Sequence, residues 1–296
     1  MRHPTPGSRP WRRRHLEVAR RGGLGDTLLC TPVLRELKRK NPACRVRFYT
    51  NYPDLVRGLP YIDQVLAFEE RPKDAIFLQY EDAIPPREHL ARIIGDNLGI
   101  EVRDVRPDCV INLPLVASTR RSWHRLRRPH IIVQRRGSRW TPNKEWPHDL
   151  WADLIGRLSQ RGTVLEIGMK SSDPPIALEN YVDVRGRSLE EFVAQIAAAD
   201  ILVGPASGPS HIAAAAGTPA VIIMSGYELP INSSYSTSTC LHKSVACSPC
   251  WLREPCPYGL KCLTAIQPEA VEAAVCEALV KYERTSRSMS EIAIQH

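Results

Sequence analysis

The chain has 296 residues, 43% of them hydrophobic and 24% charged, which is the composition of an ordinary globular protein of about two domains. No run approaches the ~18 apolar residues of a membrane span, and the basic N-terminus lacks the apolar stretch of a signal peptide, so we expect a cytoplasmic protein. The net charge of +8 would favour binding to nucleic acid, anionic lipid or phosphorylated substrates. No helix-turn-helix or aromatic–basic RNA-binding pattern is present, so we rank nucleic acid last among these partners.

Short strands and helices alternate along the first part of the chain. His15–Arg20 is the first predicted strand; a glycine-rich turn follows, and leucines at helical spacing then predict a helix that ends at Asn41. Further strands are predicted at 44–50, 62–68, 75–80 and 108–113, with a helix at 89–98.

The same alternation restarts after a basic segment without apolar periodicity. Strands predicted at 130–134, 163–167, 201–204 and 220–224 alternate with helices at 149–159, 189–199, 209–216 and 268–282. Alternating strands and helices indicate parallel sheets. We therefore predict an α/β protein with a basic leader at 1–14, a Rossmann-like domain at 15–119, a linker at 120–129 and a second Rossmann-like domain at 130–296, with a cleft between the two domains.

The turn after the first strand reads Gly22-Gly23-Leu24-Gly25-Asp26. Glycines between a strand and a helix allow a ligand to approach the backbone closely, but neither a Walker motif nor a complete G-x-G-x-x-G follows. An aspartate in the first helical turn is stabilised by the helix dipole. Asp26 is therefore either a helix cap or a carboxylate base facing a cleft, and Gly23 and Gly25 would line that cleft.

Two loops of the second half carry phosphate-binding features. The segment 207–211, SGPSH, joins a predicted strand to a helix of small residues, and its hydroxyl and backbone N–H groups fit a diphosphate. Gly137-Ser138 follows another strand end, and Lys144 stands just before the next helix. Lys144 is either a point charge for a phosphate or a solvated surface lysine, and a lone histidine such as His211 is more often structural.

These motifs, in this order and spacing, resemble the ADP-heptose:lipopolysaccharide heptosyltransferase family (glycosyltransferase family 9). The family's G-x-L-G-D-x-L-x-T-P and x-L-R-x-L-K are matched between Gly22 and Lys38, and its N-P-x-I-D-x-V is similar to residues 59–68. Its K-x-W-P is matched at 144–147, and its D-S-G-P-x-H-L-A-A-x-x-G-T-P from Ser207 to Pro219. The resemblance covers residues 16–275.

The resemblance implies a GT-B fold, in which two Rossmann-like domains face each other and the C-terminal one holds the nucleotide sugar. It implies metal-independent transfer with inversion, in which Asp26 is the general base and Lys144 neutralises the leaving diphosphate. The residues implied in donor binding are Gly137, Ser138, Ser207, Gly208, Pro209 and His211.

The partners follow from the same resemblance. The favoured donor is ADP-heptose, and the acceptor is a phosphorylated or lipid-linked glycan in lipopolysaccharide core or related synthesis. No cofactor is required for catalysis, and the basic runs would allow peripheral contact with the inner face of the cytoplasmic membrane.

One position departs from the family pattern, because Ala206 stands where the family has an acid before S-G-P. In the family this aspartate lies at the donor site. Two alternatives therefore stay open: a nucleotide-sugar-binding protein with weakened catalysis, and a family member that uses another donor sugar or an acceptor outside lipopolysaccharide.

Four of the nine cysteines form a cluster, Cys247-x2-Cys250-x5-Cys256-x5-Cys262. Four thiolates at such spacing can hold zinc or iron tetrahedrally, and this site would be structural. The alternative is a set of thiols that only pack a loop, and the sequence leaves both open.

Overall fold

The computed structural model describes residues 10–137, 140–170 and 175–294, with side chains up to residue 282. Ser138, one of the predicted donor-binding residues, lies outside these ranges. Within them, no helix is both long and apolar enough to cross a membrane.

The N-terminal half is built on a parallel sheet with the strand order β3-β2-β1-β4. Its strands are β1 (His15–Arg20), β2 (Arg45–Thr50), β3 (Gln64–Ala67) and β4 (Ile76–Phe77). Its helices are α1 (Leu24–Leu29), α2 (Thr31–Lys40) and α3 (Leu90–Asp96), followed by α4 (Leu113–Ser122). Short 3-10 turns lie at Pro10–Arg12, Pro53–Leu55, Phe68–Glu70 and Glu81–Ala83.

The C-terminal half has a parallel sheet with the order β10-β9-β8-β5-β6-β7. Its strands are β5 (His130–Val133), β6 (Thr163–Glu166), β7 (Tyr181–Asp183), β8 (Ile201–Pro205), β9 (Ala220–Met224) and β10 (Ser238–His242). Its helices are α5 (His148–Ser159), α6 (Leu189–Ala198), α7 (Gly208–Ala216), α8 (Pro230–Ser233), α9 (Lys261–Thr264) and α10 (Pro268–Ile294), with a 3-10 turn at Pro142–Lys144. Renumbered within this half, the order is the 3-2-1-4-5-6 of a Rossmann sheet, which places ligands at the carboxyl ends of the strands.

The core explains why these strands are so apolar. Strands β5, β8 and β9 are buried along their whole length, as expected for parallel strands covered by helices on both faces. One cluster of buried side chains contains residues of both halves, such as Leu28 from the N-terminal half and Ile132 and Ile212 from the C-terminal half. The two halves therefore share part of their core.

The prediction of a strand at 108–113 is wrong. Single bonds to separate parts of the chain hold this backbone instead of a sheet ladder. Thr31 accepts from the N–H of Asp108 (2.8 Å), and the N–H of Val110 donates to the carbonyl of Leu55 (2.8 Å). Just before the segment, Arg35 donates to the carbonyls of Asp104 (3.0 Å) and Arg106 (3.1 Å). Because backbone groups need partners, these bonds take the place of a neighbouring strand.

The predicted linker at 120–129 begins inside α4. Helix α4 packs on α6 of the C-terminal half, where the Arg120 guanidinium donates to the carbonyl of Ala197 at 3.0 Å. The Asn112 amide, just before α4, donates to Glu190 at 2.8 Å. The domain boundaries themselves stay a prediction.

Candidate functional site

The N-termini of α1 and α7 meet where the two halves join. Each helix begins just after the carboxyl end of a strand, β1 and β8 respectively. A Cβ atom at Gly208 would lie 2.8 Å from Cβ of Leu24, and one at Gly25 would lie 2.7 Å from Cδ2 of His211. Both glycines are required by this close approach. The space beside Gly25, expected to admit substrate, is filled by His211.

Asp26 both caps α1 and faces the junction. Its Oδ2 accepts the backbone N–H of Gly23 at 2.7 Å, and its Oδ1 accepts from Arg20 at 2.5 Å and from the Tyr80 hydroxyl at 3.1 Å. Gly22 has φ +137°, and a Cβ there would lie 2.3 Å from Asp26 Oδ2, so the turn needs glycine to seat this carboxylate. The side chain stays 22% exposed, so the cap and base interpretations are compatible.

Arg20, at the end of β1, organises the surroundings of Asp26. Its buried guanidinium donates to both carboxylate oxygens of Glu81 at 2.8 Å and to the carbonyl of Leu78 at 3.1 Å, and it lies 4.6 Å from the centre of the Tyr80 ring. Burial alone would lower the pKa of Arg20, but Asp26 and Glu81 outweigh it and raise that pKa. Two carboxylates thus share one permanent cation.

Lys144, at the end of the 3-10 turn, lies in the C-terminal half and is paired. Its ammonium group forms an ion pair with Glu228, lies 3.5 Å from the carbonyl oxygen of Ala206 and stands 4.7 Å from the centre of the Tyr227 ring. Glu228 is only 4% exposed and also accepts from the Ser233 hydroxyl at 3.2 Å. A second buried carboxylate therefore stands close to Ala206, where the resemblance would place an acid.

The other predicted donor residues surround the start of α7. The Ser207 hydroxyl donates to Gln134 at 2.8 Å, and Pro209 is buried in the first turn of α7. A Cβ at Gly137 would lie 3.8 Å from Pro205 and 4.0 Å from Cβ of Lys144, so this loop adjoins the lysine. The predicted residues that the structure describes are therefore brought to one junction.

His211 is a neutral residue of the contact between the halves. Its Nδ1 is 2.5 Å from the Tyr235 hydroxyl, and burial, with His89 and Lys144 nearby, lowers its pKa to about 3. The ring of His89, from the N-terminal half, lies 5.3 Å from that of Tyr235, and burial lowers the pKa of His89 to about 4. His211 can offer a phosphate a hydrogen bond but no positive charge.

A side-chain amide joins the halves a short distance away. Asn232, on α8, is fully buried and donates to the backbone carbonyls of Pro86 (3.1 Å) and Glu88 (2.9 Å). Both carbonyls belong to the short segment just before His89. The segment that carries His89 is therefore fixed to the C-terminal half by its backbone as well as by its ring.

A second buried ionic group lies at the carboxyl ends of β5, β6 and β7. Glu166 accepts from Arg135 at 2.9 Å, lies 3.4 Å from Arg185 and bonds the Tyr181 hydroxyl. In Rossmann sheets an acid at the end of the second strand contacts the nucleoside ribose. Here that position is occupied by a carboxylate already engaged by two arginines.

The cysteine-bearing segment, residues 247–262, is attached to the loop that carries Lys144. The Asn143 amide donates to the carbonyls of Leu252 (2.9 Å) and Glu254 (2.8 Å), and its oxygen accepts the N–H of Cys256 at 2.9 Å. The segment therefore belongs to the wall of the candidate site.

The four clustered thiols are near one another but are not arranged as a metal centre. Burial and the neighbouring Cys247, Cys262 and Cys256 raise the pKa of Cys250. In the described ranges, no three or more His, Cys, Asp or Glu side chains are grouped so that they could hold a metal ion. Binding of zinc or iron here stays a prediction.

Several residues of this site are absent from the sequence-based prediction: Arg20, Tyr80, Glu81 and Glu228. Arg20 could have been identified from the sequence, because it is a charged residue at the end of a predicted strand, and this end of β1 is buried. Glu228 follows the apolar strand β9 by four residues, which is the place where a ligand-facing acid is expected in a parallel sheet.

Comparison with known proteins agrees with the motifs. Residues 87–225 match the model of glycosyltransferase family 9 (heptosyltransferase). This match confirms the predicted resemblance over that segment and supports a glycosyltransferase. No curated protein matches the chain.

Solved structures share the fold over most of the chain. ADP-heptose lipopolysaccharide heptosyltransferase II of E. coli has a TM-score of 0.67 and is 16% identical, covering 90% of this chain and 100% of that one. A family 9 glycosyltransferase of Veillonella parvula has a TM-score of 0.70 and is 16% identical, covering 90% and 97%. TibC of enterotoxigenic E. coli, a dodecameric iron-containing heptosyltransferase seen with ADP-D-β-D-heptose, has a TM-score of 0.66 and is 21% identical, covering 89% and 76%. The predicted GT-B architecture of two Rossmann-like halves is confirmed.

Proposed function

We propose that this chain transfers a sugar from a nucleoside diphosphate to an acceptor hydroxyl, with ADP-heptose as the favoured donor. The observation that carries the proposal is that a partly open carboxylate, Asp26, and an ammonium group, Lys144, are placed on the two halves of one junction, each held by its own partner. ADP-heptose is favoured because the family 9 match and the TibC complex both concern heptose transfer.

Asp26 serves as the general base in this proposal. The acceptor oxygen attacks the anomeric carbon as the bond from that carbon to the phosphate oxygen breaks, and the hydroxyl proton passes to the Asp26 carboxylate. The electron pair of the broken bond leaves with the diphosphate. We propose that attack and departure occur on opposite faces of the sugar, which inverts the anomeric centre.

Lys144 stabilises the negative charge that develops on the leaving diphosphate. An ammonium point charge and the backbone N–H groups at the start of α7 are suited to phosphate oxygens. His211, being neutral, contributes a hydrogen bond at most. We propose that these groups make transfer independent of an added divalent cation, so that chelator leaves the rate unchanged.

The alternative of a catalytically weakened binding protein rests on Ala206. Glu228 argues against it, because it supplies a buried carboxylate beside Lys144 and close to the backbone of Ala206. A different donor sugar is the second candidate, since this carboxylate comes from the loop after β9 and not from the position of Ala206.

The proposed acceptor is a phosphorylated or lipid-linked glycan, as in lipopolysaccharide core synthesis. Its support is the basic surface, which includes the runs 11–15 and 120–128. The same charge would hold the protein peripherally at the inner face of the cytoplasmic membrane.

A transfer assay with ADP-heptose and a lipopolysaccharide-core acceptor tests the reaction. Asp26→Asn should lower the transfer rate by about 10²–10⁴-fold, the usual contribution of a general base, while ADP binding persists. Asp54→Asn is the matched control, because Asp54 is 79% exposed and contacts only a surface arginine, Arg57, in the described structure. Full activity of Asp26→Asn would contradict the base assignment, and binding of the donor without transfer or hydrolysis by the natural sequence would contradict the enzyme.

The structural metal is a separate proposal, and it requires the four thiols to come closer together than they lie in the described structure. Protein purified without chelator should carry about one equivalent of zinc or iron bound by the four clustered thiolates. Elemental analysis that finds less than about a tenth of an equivalent would refute it.

A further inference from the structure

A row of aromatic rings joins the two charged groups of the site. The row, which we call the aromatic bridge, consists of Tyr80, Trp251 and Tyr227. Ring centres are 6.4 Å apart between Tyr80 and Trp251 and 4.8 Å apart between Trp251 and Tyr227. Arg20 lies over the Tyr80 end at 4.6 Å, and Lys144 lies over the Tyr227 end at 4.7 Å.

Trp251 is held in the bridge by backbone contacts of the cysteine-bearing segment. Its N–H donates to the carbonyl of Tyr227 at 3.1 Å, and the N–H of Cys250 donates to that of Gly226 at 3.0 Å. These bonds run to the loop after β9, which also carries Glu228. The position of the indole is therefore fixed by the same loop that pairs with Lys144.

Trp251 is held there at a cost to folding. Its φ of +48° lies in the left-handed region, which bulky residues rarely adopt. Its indole N–H is buried and finds no hydrogen-bond partner among the described residues. Such unfavourable conformations and unmet donors concentrate in functional sites, where the structure retains them for binding.

The place of the bridge identifies what it contacts. In the proposed reaction, the transferred sugar must lie between the base and the leaving diphosphate. Tyr80 contacts Asp26 and Tyr227 lies against Lys144, so Trp251 stands between the base end and the phosphate end of the cleft. A sugar ring presents C–H groups to an aromatic face, and the side chain of Trp251 is partly exposed, which makes this ring a suitable surface for a sugar.

We propose that Trp251 contacts the transferred sugar and gives the protein its preference for the nucleotide sugar over the free nucleotide. This inference rests on the proposed function, because it takes the cleft between Asp26 and Lys144 as the sugar site. It assigns to the cysteine-bearing segment a direct part in substrate recognition, in addition to any metal it binds.

Calorimetric titration with ADP and with ADP-2-deoxy-2-fluoro-heptose tests the proposal. Trp251→Leu should lower the affinity for the sugar nucleotide by about tenfold, the loss of one aromatic contact, and leave the affinity for ADP unchanged. Trp251→Phe keeps an aromatic face, so it should retain most of the preference and serves if the leucine variant does not fold.

Trp11→Leu is the matched control. Trp11 precedes the amino end of β1, whereas Asp26 follows its carboxyl end, so this substitution should leave both affinities unchanged.

The outcomes separate this inference from the proposed function. If the natural sequence binds the sugar nucleotide no more tightly than ADP and transfers no sugar, the proposed function fails with it. If the natural sequence prefers the sugar nucleotide and Trp251→Leu keeps the same preference, the inference alone is overturned. Equal loss of both affinities by Trp251→Leu would also overturn it, since that pattern indicates a structural role.

Discussion

Replacing Glu228 by glutamine should weaken the fold and strengthen nucleotide binding. Glu228 is 4% exposed and forms an ion pair with Lys144, which is 18% exposed. Glutamine keeps the shape and the hydrogen bond from Ser233 but removes the negative charge. Lys144 is then left without its counter-ion, and an approaching diphosphate no longer meets a neighbouring carboxylate.

Both effects can be estimated from the burial of the pair. Loss of one partner of a buried ion pair costs about 3–5 kcal/mol of unfolding free energy, and the partial exposure of Lys144 favours the lower value. At roughly 2–4 °C per kcal/mol, this lowers the melting temperature by about 6 °C or more. A unit charge about 6 Å from a phosphate is worth about 3 kcal/mol at an effective dielectric constant of about 20. Solvent screening halves this, which leaves an approximately tenfold gain in ADP affinity.

Thermal unfolding and calorimetric titration of ADP measure the two effects on one sample. Glu145→Gln is the matched control. Glu145 directly follows Lys144 in the chain, but its carboxylate pairs with Arg136 at the surface, 3.5 Å away, and not with Lys144. It should change neither quantity appreciably. If Glu228→Gln is destabilised and binds ADP more weakly, Lys144 needs Glu228 for its position and is not a simple phosphate cation. If ADP affinity is unchanged, the diphosphate does not lie at Lys144.

Three further predictions concern the junction of the halves. Gly25→Ala should destabilise the protein, because the new Cβ would meet His211 at 2.7 Å. The control Gly156→Ala, in α5 with no described atom within 4 Å of the new Cβ, should stabilise the protein by about 0.5–1 kcal/mol. Urea unfolding compares the two variants, and equal changes in unfolding free energy would contradict the packing at Gly25. Arg20→Lys should lower the kcat of transfer with little change in the KM for the donor, because Arg20 contacts the base and not the donor loops; a change confined to KM would contradict this. Stability should fall as the pH drops from 6.5 towards 4, because the unfolded chain takes up a proton that native His89, with its pKa lowered to about 4, does not. His89→Asn, which retains a capping side chain, should remove about 1.4 kcal/mol per pH unit from that slope in unfolding titrations, and an unaltered slope would refute it.

The architecture could be predicted because its signals are local. An apolar run such as 220–224 reflects a strand that is buried on both faces, and the leucine spacing in α2 reflects a helix that is buried on one face. The order of such strands and helices along the chain is enough to indicate two parallel sheets. The segment 108–113 was misassigned for a non-local reason. Its backbone bonds to Thr31 and Leu55, which lie far earlier in the chain, and no pattern within the segment shows this.

Site residues that belong to sequence motifs could be predicted, whereas residues that join the site only by forming an ion pair with a motif residue could not. Asp26 and Lys144 stand in recognisable loops, but their partners Arg20 and Glu228 come from a strand end and a distant loop. Gly25 illustrates the limit of motif reasoning. The sequence shows that a side chain is excluded there, but the residue that takes up the space, His211, is known only from the fold.

The aromatic bridge also has a consequence for biosynthesis. Tyr80 belongs to the first half of the chain, and Trp251, which contacts it, leaves the ribosome long after it. Contacts between residues so far apart in sequence form late in folding, because closing a long loop costs entropy before the contact can contribute. The wall between Asp26 and Lys144 is therefore completed only after both of these charged residues have been synthesised. A nascent chain that ends before residue 251 would have both charged groups in place with nothing to hold a sugar between them.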